Sequence, residues 1–232
     1  MKGSLATVIF LLLCLNSNAQ SYFGLSVNYG DRLTFTPNYP SLLLKRGSFS
    51  PTLVYSYQKQ FHSDFALLFG AQIGIAGYQL VAVTRDTLSG SVDRNPFADY
   101  QVFVGRLEVT PGKVFHIGKK ALFVGIGRGV SYYRFLFPDF LMGVQAVYQG
   151  APVDLFSAYV EAPVAGTLCG FAKVYMKMAI SKRLDLALQY SSHWRSILDG
   201  EFEFYHTETP ASGSIKLVPR SVSLMLLYRF PT

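Results

Sequence analysis

From Val222 to Phe230 every second residue is apolar or aromatic: Val222, Leu224, Leu226, Tyr228 and Phe230. Ser221, Ser223, Met225, Leu227 and Arg229 stand between them. A period of two places such a row on one face of a β-strand. The alternation recurs seven more times along the chain. Phe23, Leu25, Val27 and Tyr29 alternate with Gly24, Ser26 and Asn28, and Leu53, Tyr55 and Tyr57 with Ser56 and Gln58. The further strands are predicted over 65–84, 99–117, 121–137, 164–180 and from 184 onward.

The connections are as informative as the strands. Short polar turns, His62–Asp64, Gly118–Lys120 and Ser181–Arg183, follow the second, fourth and sixth strands. Long connections, 30–49, 85–98, 138–163 and 193–219, follow the first, third, fifth and seventh. The residues opposite the apolar rows are Gly, Ser, Gln, Lys, Arg, Asp and Glu, a set suited to a narrow polar interior and too sparse to coat a soluble surface.

Composition excludes the other membrane solution. The chain is 50% hydrophobic and 15% charged, with a mean hydropathy of +0.25. Yet after Leu15 no apolar run approaches the about 20 residues of a membrane-crossing helix. Only helices and closed barrels satisfy every backbone N–H and C=O in lipid. The expected fold is therefore all-β, an eight-stranded antiparallel up-and-down transmembrane barrel. Aromatics support it: Phe23, Phe61, Phe65, Phe115, Tyr228 and Phe230 gather toward the termini and short turns, and Tyr78, Tyr100, Tyr132, Tyr133, Tyr190 and Trp194 toward the long connections.

The N-terminus supplies the route. Met1 and Lys2, the apolar run from Thr7 to Leu15, and the small residues Ser17 and Ala19 form the three parts of a secretory signal peptide. Residues 1–19 are expected to be removed near Ala19/Gln20, and residues 20–232 to form the barrel domain. One cysteine, Cys169, remains, so no internal disulfide framework is available. Without Lys2 the net charge is +6. Anionic membrane surfaces suit this charge; no dense basic run or motif points to nucleic acid.

The chain resembles the small outer-membrane β-barrel proteins of Gram-negative envelopes. The likeness covers the whole mature chain. It is carried by the signal peptide, by Leu107 to Tyr133 with its Gly118–Lys120 turn and Gly-rich strand, and by the closing strand. The resemblance implies an outer-membrane location, with termini and short turns toward the periplasm and long connections outside. It also implies that Leu226, Tyr228 and Phe230 form a C-terminal signal read by the barrel assembly machinery, although Pro231 and Thr232 follow the last aromatic here.

If the apolar rows face lipid, Arg106, Glu108, Lys173, Lys177, Asp185, Gln189 and Arg229 face inward. Eight strands enclose only enough room for side chains. The charges are then expected to pair as a structural network, and a narrow ion channel is the functional alternative. Arg128 and Arg134 break the apolar row of the fifth strand and are candidates for contact with outer-leaflet lipids, including lipopolysaccharide. The histidines His62, His116, His193 and His206 have no metal-ligand spacing, and no metal or cofactor is expected.

His193 resembles in part the His–x–Ser–Asn motif of barrel-type lipid A deacylases, with Asp199 and Glu201 downstream as acidic residues. Ser196, however, stands three residues away, on the opposite face of a strand, and Ile197 occupies a place where Asn would be hoped for. The expectation is a chain without catalytic activity, with an envelope or surface interaction role exercised through its long loops. The alternatives are a barrel component of a secretion or motility apparatus, similar to the PorT-type barrels of the type IX system, a lipid A-modifying enzyme, and a narrow channel. Surface or secretion-system proteins are the expected protein partners.

Overall fold

The last strand seals the first. In a computed structural model of the chain, β1 (Ala19–Tyr29) and β14 (Arg220–Arg229) run antiparallel from Tyr22↔Arg229 to Tyr29↔Val222. The structure describes residues 19–30, 32–36, 43–46, 49–61, 64–85, 92–118, 120–135, 139–148, 151–161, 166–205 and 211–231. The segment expected to be the signal peptide lies outside them, save Ala19.

Six more strands complete the ring: β4 (Phe49–Gln60), β5 (Phe65–Arg85), β6 (Val92–Ile117), β7 (Lys120–Phe135), β10 (Thr167–Ala179) and β11 (Leu184–His193). Their order is β1-β4-β5-β6-β7-β10-β11-β14, returning to β1. This is a closed eight-stranded antiparallel barrel. No helix among the described residues is long and apolar enough to cross a membrane; strands make the crossing.

The register fixes the barrel's shape. Ala19 stands beside Lys59, Lys59 beside Leu67, and Leu67 beside Pro111. Continuing through Ile126, Val174, Tyr190 and Val222, the circuit returns to β1 at Tyr29. One turn therefore climbs from residue 19 to residue 29. At ~3.3 Å per residue and ~4.8 Å between strands, this stagger tilts the strands about 40° from the barrel axis. A ten-residue strand such as β11 then rises about 25 Å, the height of an outer-membrane apolar band.

Burial follows the period of two. Leu224, Leu226 and Tyr228 on β14, Leu186, Leu188 and Tyr190 on β11, and Val174 and Met176 on β10 are exposed outward. Ser221, Ser223, Met225, Leu227, Asp185, Ala187, Gln189, Lys173 and Tyr175 are buried inward. Aromatics mark both rims. Phe61 and Phe65 (ring centroids 5.9 Å apart) and Tyr228 and Phe230 (5.7 Å) lie at the turn end. Tyr29, Tyr190 and Trp194 are exposed toward the other end.

The long connections are strands as well. β2 (Arg32–Thr36), β8 (Asp139–Tyr148), β9 (Ala151–Glu161), β12 (Leu198–Phe204) and β13 (Ala211–Val218) form a second sheet in the order β2-β13-β12-β9-β8. β3 (Leu43–Arg46) pairs with the upper part of β5. Within the long connection expected over 193–219, β12 and β13 pair as a hairpin. The expectation of a long loop over 138–163 is corrected: it holds the β8–β9 hairpin, joined to β12. Phe156, Ala158, Val160, Phe202, Phe204, Ile215 and Leu217 are buried on one face of this sheet. The Phe156 and Phe204 rings lie 4.7 Å apart. β5 and β6, of 21 and 26 residues, rise well past the belt to touch β9 and β8.

At the closing seam a Cβ on Gly24 would collide with the backbone carbonyl of Leu226. Gly24→Val is expected to leave most of the protein in the slow-migrating, heat-insensitive band on unboiled gels, where the parent shows the compact barrel band. Equal folding yields would show that the seam tolerates a side chain.

Candidate functional site

The inward row divides the lumen into three levels. At the turn end, Tyr22, Val54, Leu68, Val114, Phe123 and Leu227 form an apolar cluster that also includes Tyr175 and Met225. Tyr22, Tyr175 and Phe123 are at most 2% exposed, and the rings of Phe123 and Tyr175 are 6.0 Å apart. This stopper was not anticipated: inward apolar residues such as Met225 and Leu227 look, in sequence, like interruptions of a polar row. Asp185 sits against it, with Arg229 Nη2 donating to one carboxylate oxygen and Lys177 Nζ 3.5 Å from the other. Lys177 also stands 3.4 Å above the Tyr22 ring centroid.

The middle level is built on one ion pair. Lys173 Nζ lies 2.6 Å from Glu108 Oε1, with both side chains nearly sealed from solvent. Gln72 Nε2 donates to the same carboxylate at 3.4 Å, and Lys173 donates to Gln189 Oε1 at 3.4 Å. Two charges out of water are tolerated only when paired and hydrogen-bonded. The six residues Arg106, Glu108, Lys173, Lys177, Asp185 and Arg229 all face the lumen. They fall into two clusters, Glu108–Lys173 and Lys177–Asp185–Arg229, with Arg106 nearer the mouth.

The mouth level is hydroxyl-rich. Asn28 accepts hydrogen bonds from Ser223 Oγ and, at 3.3 Å, Ser26 Oγ, and donates to Thr52 Oγ1 at 3.3 Å and to the Ser50 carbonyl. Ser191 and Ser221 share a hydrogen bond of 2.9 Å. His193 Nδ1 lies 3.0 Å from the Pro219 carbonyl. With its proton there, Nε2 accepts from the hydroxyls of Ser131 (2.9 Å) and Tyr133 (3.0 Å). Arg106 Nη2 reaches the Tyr133 hydroxyl at 3.5 Å, and the Phe171 ring lies 5.0 Å from the imidazole.

An imidazole held on a carbonyl beside a serine pairs a base with a hydroxyl. Ser131 and His193 are 0% and 3% exposed. Ser196, the serine weighed from the sequence, bonds instead to the carbonyls of Leu198 and Leu217. Ser131 escaped sequence reasoning because 62 residues separate it from His193; only the pairing of β7, β10 and β11 brings them together. Asp199 and Glu201 stand exposed on β12, in the second sheet.

Arg128 and Arg134 are exposed on the outward row of β7. Among the described residues neither has a hydrogen-bond or ion-pair partner. No group of His, Cys, Asp and Glu among the described residues could hold a metal ion. His62 and His206 lie outside the described residues. Cys169 is buried, with Sγ near the carbonyls of Gly170 and Arg195.

A closed barrel, apolar outward over about 25 Å and ringed by aromatics at both rims, has one fitting solvent. The chain stands in the bacterial outer membrane. No protein-family model matches it, and no curated protein matches it in sequence. Solved outer-membrane barrels are similar in structure. OprG from Pseudomonas aeruginosa aligns over 93% of this chain and 97% of its own, at 9% identity and a TM-score of 0.44. Ail, the attachment invasion locus protein of Yersinia pestis, aligns over 91% and 97%, at 11% identity and a TM-score of 0.39.

The expectation of a chain without catalytic activity does not stand. The outer membrane protease OmpT from Escherichia coli is also similar, over 93% of this chain and 98% of its own, at 9% identity and a TM-score of 0.45. A barrel fold does not by itself exclude catalysis, since function lives in the site and not in the architecture. The serine beside His193 is Ser131, not Ser196.

Lys173→Met strands the Glu108 carboxylate in the lumen and is expected to cost ~3–5 kcal/mol. Urea unfolding in detergent micelles measures it, and adding Glu108→Gln should recover most of the loss. In planar bilayers the stoppered lumen should show no stable single-channel current; steady conductance from the parent protein would mean that the Tyr22–Phe123–Tyr175 cluster opens.

Proposed function

We propose that this protein acts at the cell surface, with its second sheet turned outward as a binding platform. One observation carries the reading: three of the four long connections contribute strands to one folded sheet with an apolar side and a polar side. On the polar side Ser157, Tyr159, Glu201, Glu203, Ser212 and Ser214 border a shallow depression of about 500 Å³. Tyr159 is 45% exposed. The Tyr205 hydroxyl bonds to Glu203 at 2.8 Å and to Ser157 at 3.0 Å, ordering the rim. Buried phenylalanines behind this face give it a fixed shape, which lowers the entropic cost of binding.

The partner on this reading is a surface protein or other extracellular macromolecule. Lipids, lipopolysaccharide among them, surround the barrel, and the assembly machinery reads Leu226, Tyr228 and Phe230 during insertion. A secretion or motility role puts the contacts at the periplasmic turns instead. The Ser181–Arg183 turn is small: Ser181 Oγ accepts from the backbone N–H groups of Arg183 and Leu184, closing it tightly.

Cells displaying the protein should lose at least tenfold in adhesion to cells or extracellular matrix when Tyr159→Ala is combined with Glu201→Lys, with the heat-modifiable barrel band unchanged. A charge change in the Ser181–Arg183 turn should leave adhesion intact. Loss of protein export from the turn variant, with adhesion unaffected by the platform variant, would sink the surface reading in favour of the apparatus.

A further inference from the structure

The outward wall of the barrel is not uniformly filled. Between β4, β5, β6 and β7 lies a groove of about 430 Å³, lined by Leu53, Ala71, Ile73, Gly105, Val130 and Tyr132 among others, and almost wholly apolar. Its floor is low because Ala71 and Gly105 are small. A Cβ placed on Gly105 would meet nothing closer than the Phe103 ring at 3.9 Å. Gly170, on the same outward wall, is different: the Trp194 ring lies over it, 2.6 Å from where a Cβ would stand. An aromatic therefore fills the dip at Gly170, and nothing among the described residues fills the one at Gly105.

The groove has charged neighbours. Along β7 the outward residues run Arg128, Val130, Tyr132, Arg134, so an arginine stands at each end of the stretch that forms its wall. Tyr132 pairs with Gly105 and Arg134 with Phe103, which puts Arg134 at the upper lip. Arg128 lies four residues below Tyr132, about 10 Å nearer the membrane centre along the axis. An unpaired charge there is costly unless its long side chain carries it up to the interface or an anion meets it. The groove suits an acyl chain, and Arg134 at its upper lip suits the phosphate above it.

The geometry points to a retained lipid at this place: one phosphate-bearing glycolipid of the outer leaflet, with an acyl chain in the Gly105 groove and its phosphate held by Arg134 at the upper lip. This rests on the orientation proposed above, which puts the groove in the outer half of the membrane. The binding itself does not depend on orientation, because a nanodisc offers the same lipid to both ends.

The test uses the full mature chain in phosphatidylcholine nanodiscs with a small fraction of bis-phosphorylated hexa-acyl lipid A. Native mass spectrometry counts the lipid kept after release. The parent should keep one lipid A, enriched at least tenfold over its share of the bilayer. Gly105→Phe, which fills the groove, should lower retention at least fivefold, and Ala71→Leu serves if that variant folds poorly. Arg134→Ala should lower it at least tenfold. Leu188→Phe, on β11 away from the groove, should change nothing. Retention unaffected by either groove variant, equal retention of phosphatidylcholine, or loss of a dimer with the groove variants would overturn the site. Failure of surface adhesion in the platform experiment would leave this result standing, so the two readings fall separately.

Discussion

Everything in this molecule depends on the hydrogen bonds between its first and last strands. A sheet standing in lipid cannot keep an open edge, since each bare N–H and C=O there lacks a partner. The β1–β14 ladder removes both edges at once. The ten-residue climb of its register then sets the tilt, and the tilt sets how much chain fits within the apolar band. The close approach of Gly24 to the Leu226 carbonyl shows how tightly the seam is drawn. Closure also fixes which residues share the interior, and so which charges must find one another.

Inside, packing and pairing divide the work. The turn-end third is a small hydrophobic core of the kind found in a soluble domain, stabilised by removal of apolar surface from water. Above it, Lys173 and Glu108 each make tolerable the burial of the other. Placing the ionic pairs next to the aromatic stopper rather than within it keeps Asp185 within reach of two cations.

The barrel was legible in the sequence because a period of two, repeated with alternating short and long connections, admits few folds. The inward direction of Arg106, Glu108, Lys173, Lys177 and Asp185 follows from parity alone once the apolar rows are taken to face lipid. Three things were not legible. The second sheet is hidden because its strands pair across long sequence separations, as Glu201 does with Tyr159, and its period is broken by residues such as Gly200 and Pro152. The stopper is hidden because an inward Leu or Met breaks the simple polar pattern. Ser131 beside His193 is hidden because two intervening strand pairings decide it.

β11 runs into β12 through residues 194–197, and β13 runs into β14 through Pro219. The platform therefore hangs on the barrel by two nearly continuous strands, backed by the tall β5–β6 hairpin. A tug on the platform is carried along those strands into the wall. There it loads many ladder hydrogen bonds at once in shear, instead of peeling them one after another. A second sheet joined in this way resists being pulled from the barrel far better than one tied down by loose loops.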